Sequence, residues 1–192
     1  DAVGVLPVCL GSATKLCDMM TDKSKEYEAL MRLGVTTDTQ DMSGTILTES
    51  AVHVNGSEVR DAVMGFVGGY EQVPPMYSAL KVNGKKLYEL AREGREIERQ
   101  PRHVDITFIR ITGMDLPEVR FEVGCSKGSY IRTLCADIGD KLGCGAVMAE
   151  LKRTRVGNFR IEDSIRLSKV EELMRQGEYE DYIIHPDSMF ME

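Results

Sequence analysis

Tyr130 and Arg132 stand two residues apart in "GCSKGSYIRTLCADIGDKLGC" (residues 124–144), and Asp38 and Asp41 lie in the turn-rich "VTTDTQDMSG". A guanidinium, a phenol and a carboxylate can pair charge, position a reactant or move a proton. After Tyr130, the residues Ile131, Leu134, Cys135, Ile138 and Leu142 recur at helical spacing, so one helix face is buried, and Gly143 is a natural stop. Before it, Phe121 and Val123 alternate as in a strand, and residues 126–129 form a turn. Tyr130 and Arg132 therefore belong to a strand-to-helix junction, a place where a rigid scaffold presents chemistry. The plain alternative for Arg132 is a stem lying over the core or a pairing with a nearby carboxylate.

The elements that must carry these residues follow from periodicity. An apolar start, "DAVGVLPVCLGSATKLCDMM", leads into a helix around residues 13–20. "KEYEALMRLG" puts Tyr27, Ala29, Met31 and Leu33 on one side of a half-buried strand. Val59, Val63, Phe66 and Val67 share one face of a short helix that ends at Gly68–Gly69. Residues 73–104 open with Pro74–Pro75, turn at Asn83–Gly84 and carry a helix over 86–93 capped by Gly94. Mixed charge and flanking prolines make this segment an excursion from the core. Two strands follow around a turn at 113–117, then the helix after Tyr130. "AVMAELKRTRVGNFRIEDSI" reads either as helix then strand or as two strands. Ser168 and Glu171 have capping-box spacing before a helix with Val170, Leu173 and Met174 on one face. The sum is a single α+β domain over residues 1–192, built on a mixed, largely antiparallel sheet flanked by helices.

Composition narrows the function classes. With 42% hydrophobic and 29% charged residues the chain has enough apolar material for a core, so disorder is not the default. No apolar run is long enough to cross a bilayer. Five cysteines without a C-x-x-C pair, in apolar surroundings, suggest reduced core thiols and a cytoplasmic protein. His53, His103 and His185 are scattered, so no metal site is expected. The net charge of −7 excludes a uniformly basic coat but leaves room for local basic clusters. One is Lys81, Lys85, Lys86, Arg92, Arg95, Arg99 and Arg102, interleaved with Glu89, Glu93, Glu96 and Glu98; another is Lys152, Arg153, Arg155 and Arg160. Either could be a solvated helix face or a nucleic-acid footprint.

Four stretches, in order and spanning most of the chain, resemble the TruB family of tRNA pseudouridine synthases: "AVGVLPVCLGSATKL", "KEYEALMRLGVTTDTQDMSG", "QVPPMYSALKVNGKKLYELAREG" and "SKGSYIRTLCADIGDKLGCGAVMAELKRTRVGNF". The uninterrupted third stretch is similar to the stand-alone bacterial type and less to the dyskerin branch. The resemblance implies the pseudouridine synthase catalytic fold and isomerisation of uridine 55 in the tRNA T-loop, without cofactor or metal. It implies that Arg132 pairs with the catalytic aspartate, that Tyr130 sits beside the reacting nucleotide, and that Tyr27 stacks on the flipped uracil. Asp41 would join the carboxylate–guanidinium network and Leu151 the pocket wall. The excursion would be an RNA-gripping thumb, with Lys81, Lys85, Lys86 and Arg92, and beyond it Lys152 and Arg153, on the RNA. The implied partner is the T-arm of tRNA, with no membrane or metal, bound by a monomer.

The family nucleophile lies in a segment resembling "GHTGxLDPxAxGVLPV". Aligned on Ala2 and Gly4, Asp1 takes the variable position after the Asp-Pro pair, so the nucleophile is expected two residues upstream of Asp1. Also expected outside the chain are the "GHTG" histidine and a small C-terminal RNA-binding domain. Residues 1–192 alone are therefore expected to be inactive. A catalytically silent RNA-binding or RNA-folding module is the main competing reading, and an α+β protein with a merely solvated basic surface is a third.

Overall fold

The computed structural model describes residues 3–21 and 23–186. In chain order the first elements are β1 (Val3–Gly4), α1 (Cys17–Thr21), β2 (Lys25–Leu33), β3 (Val35–Thr37) and β4 (Ile46–Glu49). Next come α2 (Gly56–Met64), β5 (Gly68–Gln72), β6 (Lys81–Val82), β7 (Lys85–Lys86) and α3 (Leu87–Arg92). The chain continues through β8 (Arg102–Asp115), β9 (Glu118–Cys125), α4 (Ile131–Leu142), β10 (Ala146–Val156), β11 (Phe159–Arg160) and α5 (Leu167–Gln176). Seven strands form the main sheet in the order β1-β10-β2-β9-β8-β5, with β11 hairpinned onto β10. All its pairings are antiparallel except β1 with β10, as the expected mixed, largely antiparallel α+β architecture requires.

One face of this sheet is apolar and the other is charged. Ala29, Met31 and Leu33 of β2, Val119, Phe121 and Val123 of β9, and Ile106 and Ile109 of β8 meet Val59 and Val63 of α2. Ile131, Leu134, Cys135 and Ile138 of α4 complete the same core. Fully burying a side chain such as Phe121 contributes roughly 1.5–3 kcal/mol, so this one cluster accounts for much of the folding drive. Across strands run the ion pairs Arg110–Glu122, Lys152–Glu28 and Arg155–Glu26, as befits an antiparallel sheet with one wet face.

Several boundaries differ from expectation. Helix α2 ends at Gly65, and Gly68–Gly69 instead open β5; Val67 is exposed because it lies outside the helix. Its start is a true capping box: Asn55 Oδ1 accepts from the amides of Ser57 and Glu58, and the Asn55 amide donates to Glu58. The box expected at Ser168 and Glu171 does not form, because α5 begins at Leu167 with Arg166 as N-cap, leaving Ser168 already inside the helix. The β8–β9 turn is confined to Leu116–Pro117, so Gly113, Met114 and Asp115 are strand residues. Arg102 to Val104 belong to β8, and the excursion occupies residues 73–101. Residues 146–160 are two strands. Cys125, Cys135 and Cys144 are buried thiols, whereas Cys17 is exposed and Cys9 half-buried, so two of the five are not core residues.

Helix α4 is pressed onto the start of β10. Gly139 lies so close that a Cβ there would collide with the backbone of Gly145 and Ala146. Replacing Gly139 with Ala should therefore destabilise the fold by about 1–3 kcal/mol through overpacking, despite the better helix propensity of Ala. Urea unfolding measures this directly; an unchanged midpoint would contradict the close approach.

Candidate active site

An arginine at the second position of a helix is poorly placed, because the helix dipole presents positive charge at that end. The structure compensates with a carboxylate. Arg132 Nη1 donates to Asp41 Oδ2 at 3.0 Å and to the Thr39 carbonyl at 3.0 Å, and Nη2 donates to the Tyr77 carbonyl at 2.8 Å. Both charged side chains are only 21% exposed, so Arg132 is a largely withdrawn cation paired with a nearby carboxylate, the second of the plain alternatives. These bonds use three of the five guanidinium N–H groups, and among the described residues Nε–H and the second N–H of Nη2 meet no protein acceptor.

The Asp41 loop is built to hold one carboxylate. Asp41 Oδ1 accepts from Thr39 Oγ1 at 2.9 Å, the Ser43 amide at 3.0 Å and the Ser43 hydroxyl. Thr37 Oγ1 donates to the Asp41 carbonyl at 2.7 Å, and Asp38 closes the loop by accepting from the Thr45 amide at 2.7 Å. Burial alone would raise the Asp41 carboxyl, but the Ser43 and Thr39 hydrogen bonds and the Arg132 charge outweigh it and hold the group below its ordinary range. Asp41 stays ionised.

Gln40, next to it, has φ of 63°, a left-handed conformation costing about 1–2 kcal/mol for such a residue. It is held there by Thr133 Oγ1, which donates to Gln40 Oε1 at 2.7 Å, and by the Met148 amide, which donates to the Gln40 carbonyl at 3.1 Å. An isolated parallel bridge joins Asp41 to Met148, fastening the loop to the outer edge of β10.

Tyr130 is the N-cap of α4, and its main chain is gripped by Gln72. The Tyr130 amide donates to Gln72 Oε1 at 2.8 Å, and Gln72 Nε2 donates to the Tyr130 carbonyl at 3.1 Å. Along β10 the other candidates line up in register. Leu151 pairs with Ala29 and Arg153 with Tyr27, while Val3 and Gly4 pair with Lys152 and Arg153 on the opposite edge. Tyr27 and Leu151 are half-buried at the margin of the core. Burial raises the Tyr27 phenol, Cys125 adds to the rise, and Arg153 opposes it. Arg153 Nε also donates to the Val5 carbonyl at 2.8 Å, and Lys152 pairs with Glu28 at 3.3 Å. Tyr27 and the Asp41–Arg132 pair are not in hydrogen-bond contact. They flank a stretch of β10, Met148 to Arg153, on the order of 15 Å long.

The excursion has a small nucleus of its own, Met76, Leu87 and Leu90, with Leu80, Val82, Ala91 and Ile97 against it. Its tip is the β6–β7 hairpin, where Asn83 and Gly84 both have positive φ (51° and 83°), as a two-residue turn requires. Lys81 and Lys85 are exposed there; Lys85 also reaches Glu93 at 3.4 Å. Lys86 and Arg92 lie over the Tyr88 ring, 5.4 and 5.3 Å from its centre. Two of the segment's glutamates pair with its cations, Glu93 with Lys85 and Arg95 and Glu96 with Arg99, while Glu89 accepts from the Lys86 amide at 3.1 Å. Among the described residues no group of three or more His, Cys, Asp or Glu side chains is placed to hold a metal ion, and no helix is long and apolar enough to cross a membrane.

Sequence reasoning singled out Arg132 and Asp41, which the structure pairs, along with Tyr130 and Tyr27, but not Gln72, Ser43, Thr39 or the Tyr77 carbonyl. A main-chain acceptor has no signature in the residue types. The single buried amide of Gln72, at the end of a polar run, has no periodic partner to announce it.

Residues 1–131 match the family model of the TruB family pseudouridylate synthase N-terminal domain, and residues 132–189 match that of the tRNA pseudouridylate synthase B C-terminal domain. The division falls within the first turn of α4, and β2 and β10 pair across it, so both matched stretches share one sheet. Curated proteins named tRNA pseudouridine synthase B are similar over most of the chain. That of Clostridium kluyveri is 51% identical, over 88% of this chain and 59% of its own length. The Clostridium novyi protein is 51% identical over 97% and 63%, and the Lachnoclostridium phytofermentans protein 49% identical over 100% and 65%. The chain thus spans about three fifths of the length of these relatives. A solved structure described as "Crystal Structure of a Cbf5-Nop10-Gar1 Complex" superposes with a TM-score of 0.71 at 30% identity, covering 95% of this chain and 45% of the other. Another, "Structure of H/ACA RNP bound to a substrate RNA containing 2'-deoxyuridine", gives 0.66 at 26% identity, covering 96% and 44%. With well over half of its residues inside the first family model, this chain belongs to the TruB family of pseudouridylate synthases.

Proposed function

We propose that this chain forms the body of a tRNA pseudouridine synthase that isomerises uridine 55 of the T-loop, using an aspartate nucleophile two positions before Asp1. In the reaction the N1–C1′ bond breaks, the uracil turns, and C5 bonds to C1′. The hydrogen displaced from C5 is balanced by the one gained at N1, so no oxidant or reductant is consumed. The target base leaves the loop stack at a cost recovered through pocket contacts.

The observation that carries this reading is the Arg132 guanidinium, held by Asp41, Thr39 and Tyr77 with two N–H groups unused among the described residues. A second carboxylate meeting those groups would be kept ionised by the positive charge beside it. β1 lies beside β10 with Val3 opposite Lys152, on the same strand as Met148, the residue bridged to Asp41. Tyr27 stacks on the flipped uracil, Leu151 walls the pocket, and Tyr130 stands beside the reacting nucleotide. Lys81, Lys85, Lys86 and Arg92 take phosphates along the excursion, with Lys152 and Arg153 nearer the sheet, giving binding that weakens as salt rises.

Three measurements test this. In the full-length protein, Arg132→Lys should lower turnover of a T-arm hairpin by on the order of 100-fold while leaving RNA affinity within about twofold, because Lys cannot offer a planar fork. Equal losses of rate and affinity would count against the assigned role. Residues 1–192 alone should release no tritium from 5-tritiated uridine in the hairpin, whereas the protein extended upstream should; turnover by the shorter chain would refute an upstream nucleophile.

The third is a pH test. The folded Asp41 carboxyl titrates below its unfolded value, so its stabilisation is complete above the ordinary carboxylate range and is lost as pH falls through the depressed value. Wild type should exceed Asp41→Asn in stability near pH 7, and the gap should shrink below about pH 4. Urea unfolding at both pH values reads the gap, and a constant gap would contradict an ionised Asp41.

A further inference from the structure

Gln72 is the one polar residue among the largest fully buried side chains, at 1% exposure. A buried amide is costly unless its donors and acceptor are used, and here they are. Nε2 donates to the Tyr70 hydroxyl and to the Tyr130 carbonyl, and Oε1 accepts from the Tyr130 amide. That amide precedes the first turn of α4 and has no helical acceptor, so Gln72 supplies what a side-chain cap would otherwise provide. The Tyr130 carbonyl also receives the Leu134 amide at 3.0 Å, the first bond of the helix, so one side chain fixes both main-chain polar groups of the junction residue.

Behind Gln72, Tyr70 lies two residues earlier on the same side of β5, and its hydroxyl takes one of the two Gln72 Nε2 hydrogen bonds. Burial raises the Asp137 carboxyl, two turns into α4, to about 6, and the neighbouring Tyr70 hydroxyl opposes the rise. The hydrogen bonds of Gln72 thus tie β5 to α4 at the junction from which Arg132 projects.

We propose that Gln72 is a positioning residue of the isomerase site, setting the strand-to-helix junction from which Tyr130 and Arg132 project. The inference rests on the isomerase reading given above. Gln72 touches no reacting atom; it acts through the main chain of Tyr130.

The test uses the full-length protein and a T-arm hairpin, with Gln72→Met, which keeps the shape and removes the hydrogen bonds, and Gln72→Glu, which keeps the acceptor and removes the donors. Both should lower kcat by about 10- to 100-fold, the scale of a small misplacement of catalytic groups, with KM for RNA within about twofold and cooperative unfolding retained. In the Arg132→Lys background, Gln72→Met should lower kcat by less than about threefold, since both changes remove the same alignment. Unchanged kcat in the folded variants, a rise in KM matching the fall in kcat, or a fully multiplicative loss with Arg132→Lys would overturn the inference while leaving the isomerase reading intact. A wild type that fails to turn over the hairpin would overturn both.

Discussion

A single guanidinium joins three stretches of chain that are otherwise remote. Arg132 from α4 takes the carboxylate and a carbonyl of the 38–45 loop, and it takes the Tyr77 carbonyl from the root of the excursion. A charge largely withdrawn from water is tolerable when most of its N–H groups are used and a counter-charge lies close. The core beneath α4, the loop beside it and the excursion root must therefore all be in place for the cation to be stable. Folding and site assembly are in this sense one event.

The supporting parts are rigid for identifiable reasons. The loop closes on itself through Asp38, Thr37, Thr39 and Ser43, and its left-handed residue, Gln40, is held by Thr133 and Met148. Such local strain persists where the surroundings over-determine it, and here they come from two different elements. Helix α4 is fixed at its start by Gln72 and in its middle by the close approach of Gly139 to β10. Little freedom remains for Arg132 itself.

How much of this could be read from the residues depended on whether a periodic pattern survived. α4 and β2 each keep one apolar face, and both were legible. β10 was ambiguous because two register shifts, between Met148 and Glu150 and between Arg153 and Arg155, break its alternation. Ser168 and Glu171 have capping-box spacing without forming one, whereas the equivalent spacing of Asn55 and Glu58 does. The difference is the backbone at the first residue, extended at Asn55 and already helical at Ser168. Arg132 and Asp41 could be singled out by chemistry. The acceptors at Thr39 and Tyr77 could not, since any residue carries a carbonyl. Gln72 and Tyr130 are remote in sequence, and only the pairing of β5 with β8 and the packing of α4 bring them together.

The excursion leaves the sheet after Gln72 and returns at Arg102, and those two residues are partners in the β5–β8 ladder. Its ends are thus pinned side by side whatever lies between. Chain-closure entropy rises slowly with length, by about 0.6 kcal/mol per doubling, so residues beyond Tyr77 could be lengthened, shortened or replaced wholesale at small thermodynamic expense. Up to Tyr77 no such latitude exists, because the path must deliver a carbonyl to Arg132. The fold thereby separates a fixed hinge plate from an interchangeable handle, so the handle can diverge between homologous chains while the Arg132 site beneath it stays unchanged.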